Sequence, residues 1–146
     1  MKRLLCIVSS MDRGGAETFL MKIYRQLDKN KYQMDFCVSK RETGFYDDEI
    51  KKMGGKIYYV PPKTKRIIKN FFNIKKIVKE KQYKYVLRTS QQSLAALDLL
   101  AAKCGGARIL IYRSSNAGVT NAKIINNIFK PLPKIIPNVK LAPSIK

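Results

Sequence analysis

The sequence predicts an α/β domain: an open parallel sheet with helices on both faces. Three observations carry that expectation. Short apolar runs alternate with amphipathic runs of helical period, strand then helix, five times along the chain. The first apolar run is continuous, as in a central parallel strand covered on both faces. Polar or glycine-rich residues follow the strand ends, where open α/β sheets collect their ligands. At 146 residues, with 45% hydrophobic and 27% charged residues, the chain is one domain's worth and able to bury a single core.

Residues 4–9 form the first predicted strand. It empties into Ser9-Ser10-Met11-Asp12-Arg13-Gly14-Gly15-Ala16-Glu17 and then a helix over residues 16–27. Gly14 and Gly15 lack Cβ atoms, so they tolerate positive φ and let a ligand come close. The unpaired N–H groups of the helix start, with its dipole, favour an anion there. The same turn also reads as a plain strand-to-helix connection. Neither G-x-G-x-x-G nor a phosphate loop ending in Gly-Lys-Ser/Thr is present, which argues against a nicotinamide enzyme or a P-loop ATPase. Ala16, Phe19, Leu20, Ile23, Tyr24 and Leu27 share one helical face, so Phe19 and Tyr24 are expected in the core. Glu17 in the first turn reads as a helix cap.

Tyr32, Met34, Phe36 and Val38 alternate with Gln33, Asp35, Cys37 and Ser39, which predicts a second strand with one face better buried. A polar loop over residues 40–44 leads to a short helix over 45–53, stopped by Gly54-Gly55. The third strand, residues 56–60, is closed by Pro61-Pro62. Lys63, Lys65, Arg66 and Lys69 then read as a solvated face or as a membrane or anionic-acceptor contact. In the helix over 67–79, Ile67, Phe71, Ile74, Ile77 and Val78 point inward while Lys69, Lys75, Lys76 and Lys79 point out. The fourth strand, 85–87, delivers Arg88-Thr89-Ser90-Gln91 to the carboxyl edge, and a buried helix over 93–102 stops at Gly105-Gly106. The fifth strand, 108–112, empties into Arg113-Ser114-Ser115-Asn116. A last helix is expected over 122–129, with Ile124, Ile125 and Ile128 inward, and residues 139–142 resemble one more strand.

Composition narrows the chemistry. The absence of histidine removes Ser-His-Asp and Cys-His catalysis and any imidazole step from this chain. Cys6, Cys37 and Cys104 are too scattered for a metal site or a disulfide framework and read as buried free thiols. The longest apolar runs fall well short of the roughly 20 residues that span a bilayer. A cytoplasmic protein is expected, peripheral on the inner membrane face at most. The formal charge of +20 invites an anionic partner, but dispersed lysines without interleaved aromatics argue against a specific nucleic-acid reader.

The strand ends at Gly14-Gly15, at Arg88 to Gln91 and at Arg113 to Asn116 bring two arginines, N–H groups and hydroxyls to one edge without a base. That set binds anions and hydroxyls. Arg88 and Arg113 also read as ordinary surface charges.

From Lys2 through the glycine pair to Leu20, and again at Glu42-Thr43-Gly44 and Met53-Gly54-Gly55-Lys56-Ile57, the sequence resembles bacterial family 4 glycosyltransferases of the GT-B fold, of the capsule and exopolysaccharide type. The resemblance implies a Rossmann-like N-terminal, acceptor-side domain. It implies a retaining transfer from a sugar nucleotide to a saccharide or lipid-linked acceptor, in which the leaving phosphate takes the acceptor proton. Gly14, Gly15 and Glu17 would meet the donor diphosphate. Arg88, Ser90, Gln91, Arg113, Ser114 and Asn116 would line the sugar and acceptor side, with Arg88, Ser90 and Arg113 as catalytic candidates. No metal and no cofactor beyond the donor substrate are expected.

Many relatives carry histidine after the fourth strand and His-Ser-His-Asn after the fifth. Here Arg88-Thr89-Ser90 and Arg113-Ser114-Ser115-Asn116 stand in those places, and the latter reads as a subfamily mark. The expectation is therefore a single truncated domain over 1–146, without the C-terminal donor-binding domain and inactive alone unless a partner chain supplies it. The rival reading is a non-catalytic basic module for anionic lipid, polysaccharide or RNA.

Overall fold

The computed structural model describes residues 1–11, 14–40, 42–62, 66–90, 95–114 and 139–141. Six strands form one sheet: β1 (Lys2–Val8), β2 (Tyr32–Val38), β3 (Ile57–Tyr59), β4 (Tyr85–Ser90), β5 (Ile109–Ser114) and β6 (Val139–Leu141). Their order is β3-β2-β1-β4-β5-β6, and every pairing is parallel. Among the described residues the sheet is accompanied by helices α1 (Gly15–Gln26), α2 (Asp47–Lys52), α3 (Ile67–Lys81) and α4 (Ala96–Cys104). The strand order reverses at β1, so the loops leaving β1 and β4 diverge and open a crevice at the carboxyl edge, as in Rossmann-like sheets.

Right-handed crossovers place α1 and α2 on one face and α3 and α4 on the other. On the α1 side Leu20, Met21, Tyr24 and Ile50 pack on Cys6, Val8, Met34 and Phe36. Across the sheet Ile74, Val78, Leu99, Ala101 and Ala102 pack on Leu5, Ile7, Val86 and Leu110. The strands are thus covered twice, as the continuous apolar run of β1 requires. Gly54 ends the α2 turn at φ +90°, and a Cβ on Gly55 would lie 2.7 Å from the Met34 carbonyl oxygen, so packing alone demands glycine there. Both Gly14 and Gly15 avoid positive φ, and Gly14 is extended at φ −125°.

Several expectations are revised. β2 is buried on both faces from Gln33 to Val38. Its second face is polar and nevertheless inside, because Asp35 has a full set of partners. The carboxylate accepts from Arg3 Nη1 at 2.8 and 3.1 Å, from the Lys56 backbone N–H at 2.9 Å and from the Tyr83 hydroxyl. A buried charge is tolerated when so paired. In α1, Met21 takes the core position expected for Phe19, which with Ile23 lies on the exposed flank. In α3, Asn70 is buried and Ile67 is not; the Asn70 Nδ2 donates to the Pro61 carbonyl at 2.7 Å and ties the helix to the end of β3. Cys6 and Cys37 are buried thiols, whereas Cys104 at the end of α4 is exposed. The helix expected over 122–129 lies outside the described residues. Among the described residues no helix is long and apolar enough to cross a membrane.

Candidate functional site

The carboxyl edge of the sheet carries the candidate site. α1 starts at Gly14, whose carbonyl accepts the first helical bond from the Thr18 N–H at 3.0 Å. No side chain caps this end by hydrogen bonding. Glu17 folds back instead, and a Cβ on Gly14 would collide with its carboxylate. Gly15 differs: a Cβ there would meet nothing within 4 Å. No packing in the described protein requires glycine at 15, and the approach to the helix start is open. That opening is an exposed cleft of about 560 Å³ lined by Gly14, Gly15, Thr18, Phe19, Lys22 and Tyr46.

Arg113, the penultimate residue of β5, reaches the same place. Its guanidinium carbon lies 4.0 Å from the Phe19 ring centroid, a cation–π contact beside the cleft. Thr18 Oγ1 and the Tyr46 hydroxyl, 3.0 Å apart, close the other wall. Lys22 lies one helical turn beyond Phe19. The cleft and its rim thus combine open helix N–H groups, two cations and two hydroxyls, a donor-rich set suited to phosphate or sugar hydroxyls.

Arg88 stands elsewhere. It is buried on the α4 side of the sheet, its Nε 2.8 Å from Asp98 Oδ2. Its Nη1 donates to the Ile7 and Thr89 carbonyls at 3.2 and 3.1 Å, and its Nη2 donates to Ser9 Oγ at 3.5 Å. These bonds anchor α4 to the carboxyl ends of β1 and β4 and leave the guanidinium committed inside the fold. Burial raises the nearby Tyr112 phenol, partly offset by the Arg88 charge. Ser90 and Ser114 are register partners at the ends of β4 and β5, one step beyond the Thr89 and Arg113 pair. Gln91 and Asn116 lie outside the described residues.

Thr18, Phe19, Lys22 and Tyr46 were missed as site residues by sequence reasoning. A signal existed for three of them: Thr18, Phe19 and Lys22 follow Gly15 by three, four and seven residues, which stacks them above the glycine on one helix face. Among the described residues no cluster of histidine, cysteine or carboxylates fits a metal ion. A second groove, of about 380 Å³ and lined by Leu4, Ile23, Leu27, Met34 and Ile111 among others, opens at the amino edge. It lacks the convergent polar groups of the carboxyl edge.

Comparison with known proteins adds relatives to this geometry. No family model matches the chain. Over 116 residues, 79% of its length, the chain is 34% identical to the Bacillus subtilis (strain 168) protein named "Putative glycosyltransferase EpsF". The chain is a glycosyltransferase homologue. This homologue spans only 30% of that relative's length. Its fold also matches the crystal structure of a Listeria monocytogenes protein titled a putative UDP-N-acetylglucosamine 2-epimerase, with a TM-score of 0.64 at 14% identity, over 99% of this chain and 40% of the other. At that identity the likeness shows the fold, and the homologue's cleft sits where such sheets place their ligands.

Proposed function

We propose that the chain is the acceptor-side half of a retaining glycosyltransferase, which moves a sugar from a sugar nucleotide to a saccharide or lipid-linked acceptor in cell-surface polysaccharide synthesis. The observation that carries this reading is the open cleft at Gly14-Gly15, flanked by Arg113 and Lys22, in a chain 34% identical to a glycosyltransferase-named protein. The donor diphosphate meets the α1 N–H groups at Gly15, and Glu17 swings aside to admit it. Arg113 and Lys22 face the negative charge that grows on the diphosphate as the anomeric C–O bond breaks. The new C–O bond forms to an acceptor hydroxyl, whose proton passes to the departing phosphate oxygen. No protein base is needed, which agrees with a chain that has no histidine. Ser90 and Ser114, paired at the ends of β4 and β5, stand on the sugar and acceptor side, and Arg88 supports the edge from beneath. A second domain or a partner chain holds the nucleotide; the small share of each compared protein that the chain covers supports this. An anionic membrane surface is the further contact.

The test is sugar transfer by the whole protein that carries this chain, with a panel of sugar nucleotides and membrane extract as acceptor source. The expected result is release of nucleoside diphosphate that depends on acceptor, with the anomeric configuration of the product retained by NMR. Binding of no sugar nucleotide, or an inverted product, overturns the reading.

A further inference from the structure

The outward face of α3 combines exposed apolar side chains with lysines. Ile68 and Phe72, one turn apart, are 71% and 56% exposed, among the largest exposures of any apolar side chains described. On a helical wheel they share the solvent face with Lys69, Lys75, Lys76 and Lys79. Lys75 Nζ lies 5.8 Å from the Phe72 ring centroid, at the rim of the apolar pair. Glu80 is the only acid in the helix, and its Oε1 is 3.9 Å from Lys76. Meanwhile Asn70, Ile74 and Val78 fix the opposite face against the domain, so the exposed face is rigidly presented. Because α3 begins after β3, its first turns stand at the same carboxyl edge as the cleft.

We propose that this face docks on an anionic phospholipid bilayer, with Ile68 and Phe72 entering the headgroup–acyl boundary and the four lysines meeting lipid phosphates. An apolar strip flanked by lysines on a helix otherwise packed on its protein is the pattern of an interfacial helix. The long lysine stems let the ammonium groups reach up to the phosphates while the apolar pair sinks. A nucleic-acid backbone matches the charge but offers no place for two apolar side chains. The inference gives a surface to the membrane contact of the transferase reading, and it stands on α3 alone.

The experiment is co-sedimentation of the whole protein with vesicles of phosphatidylcholine alone or with roughly a third phosphatidylglycerol. Binding is expected only to the anionic vesicles and is expected to fall as salt shortens the Debye length. Ile68→Ser with Phe72→Ser should weaken it about tenfold or more, since two exposed apolar side chains are lost. Lys69→Glu with Lys76→Glu should weaken it at least about twentyfold, given roughly fivefold per lysine. Unchanged melting of both variants shows that the fold is intact. The chain has no tryptophan, so Phe72→Trp is a local reporter whose emission should shift to the blue on anionic vesicles. Equal binding by wild type and variants, binding to neutral vesicles alone, no binding at all, capture only by an acidic protein, or a Phe72→Trp emission that stays water-like overturns the proposal. Sugar-nucleotide affinity measured without vesicles should be the same in all variants, so failure here leaves the transferase reading standing.

Discussion

The Arg113 guanidinium sits 4.0 Å above the Phe19 ring, joining the end of β5 to the second turn of α1 across the mouth of the cleft. A long, entropically costly side chain is thereby held in one orientation next to the open helix start. Phe19 is 37% exposed because its ring serves this contact instead of the core.

Removing the ring should release the cation. In the whole protein, Phe19→Leu is expected to raise the Kd for sugar nucleotide about two- to fivefold, the equivalent of an exposed cation–π contact of about 0.5–1 kcal/mol. Phe19→Tyr should restore most of it. Isothermal titration checks both, and equal affinities for all three proteins would detach Phe19 from binding.

Gly15→Ala separates packing from ligand approach. The added methyl meets open space, and alanine favours a helix over glycine, so stability should stay level or rise by up to about 1 kcal/mol. Sugar-nucleotide affinity should fall, because the methyl stands in the path to the backbone. A variant that is more stable yet binds as before would place the ligand elsewhere.

Much of this was legible in the sequence, for physical reasons that differ by element. Leu4 to Val8, the amphipathic runs and the glycine stops specify β1, the helices and the sheet, since burial on two faces leaves few other solutions. Periodicity could not assign Asp35 or Arg88, since whether a charge is inside depends on partners brought from distant strands and helices, here Arg3, Tyr83 and Asp98. Nor could it separate Phe19 from Met21: both border the apolar face of α1, and it is Met21 that joins the cluster with Phe36 of β2 and Ile50 of α2. Ser90 and Ser114 are brought together by the β4–β5 register, a pairing between strands that no local pattern specifies.

Breaking the Arg88–Asp98 pair should be costly. Asp98→Ala leaves a guanidinium uncompensated in the interior and is expected to cost about 3–5 kcal/mol. Replacing both, Arg88→Met with Asp98→Leu, should cost much less, because no charge is stranded. Urea midpoints test this difference. If the double variant, once folded, also keeps its sugar-nucleotide affinity, Arg88 is a structural member of the edge and not a ligand contact.

High pH should unfold the chain through its tyrosines. Burial first, then the Asp35 charge, pushes the Tyr24 phenol up to about 12; burial and the hydrogen bond to Asp47 push Tyr59 up to about 12 as well. The Tyr83 phenol, buried and donating to Asp35, is raised further. An unfolded tyrosine loses its proton near about pH 10. Between about 10 and 12 the unfolded chain therefore holds fewer protons than the folded one, and stability falls as pH rises. Below about pH 10 these phenols contribute no slope. Tyr24→Phe should flatten the alkaline limb, measured as urea midpoint against pH with phenolate absorbance read in parallel.

A last test concerns the end of α3, where Gln82 adopts a left-handed conformation at φ 56° and the Tyr83 N–H donates back to the Val78 carbonyl at 3.1 Å. A side chain with a Cβ pays roughly 1–2 kcal/mol in that region, whereas glycine does not. Glycine also gains freedom in the unfolded chain, which offsets part of the relief. Gln82→Gly should therefore raise stability by about 0.5–1 kcal/mol, seen as a higher urea midpoint at unchanged slope. Since Gln82 lies at the far end of α3 from Ile68 and Phe72, vesicle binding should not change, and a loss of binding would mean that the cap orients the docking face.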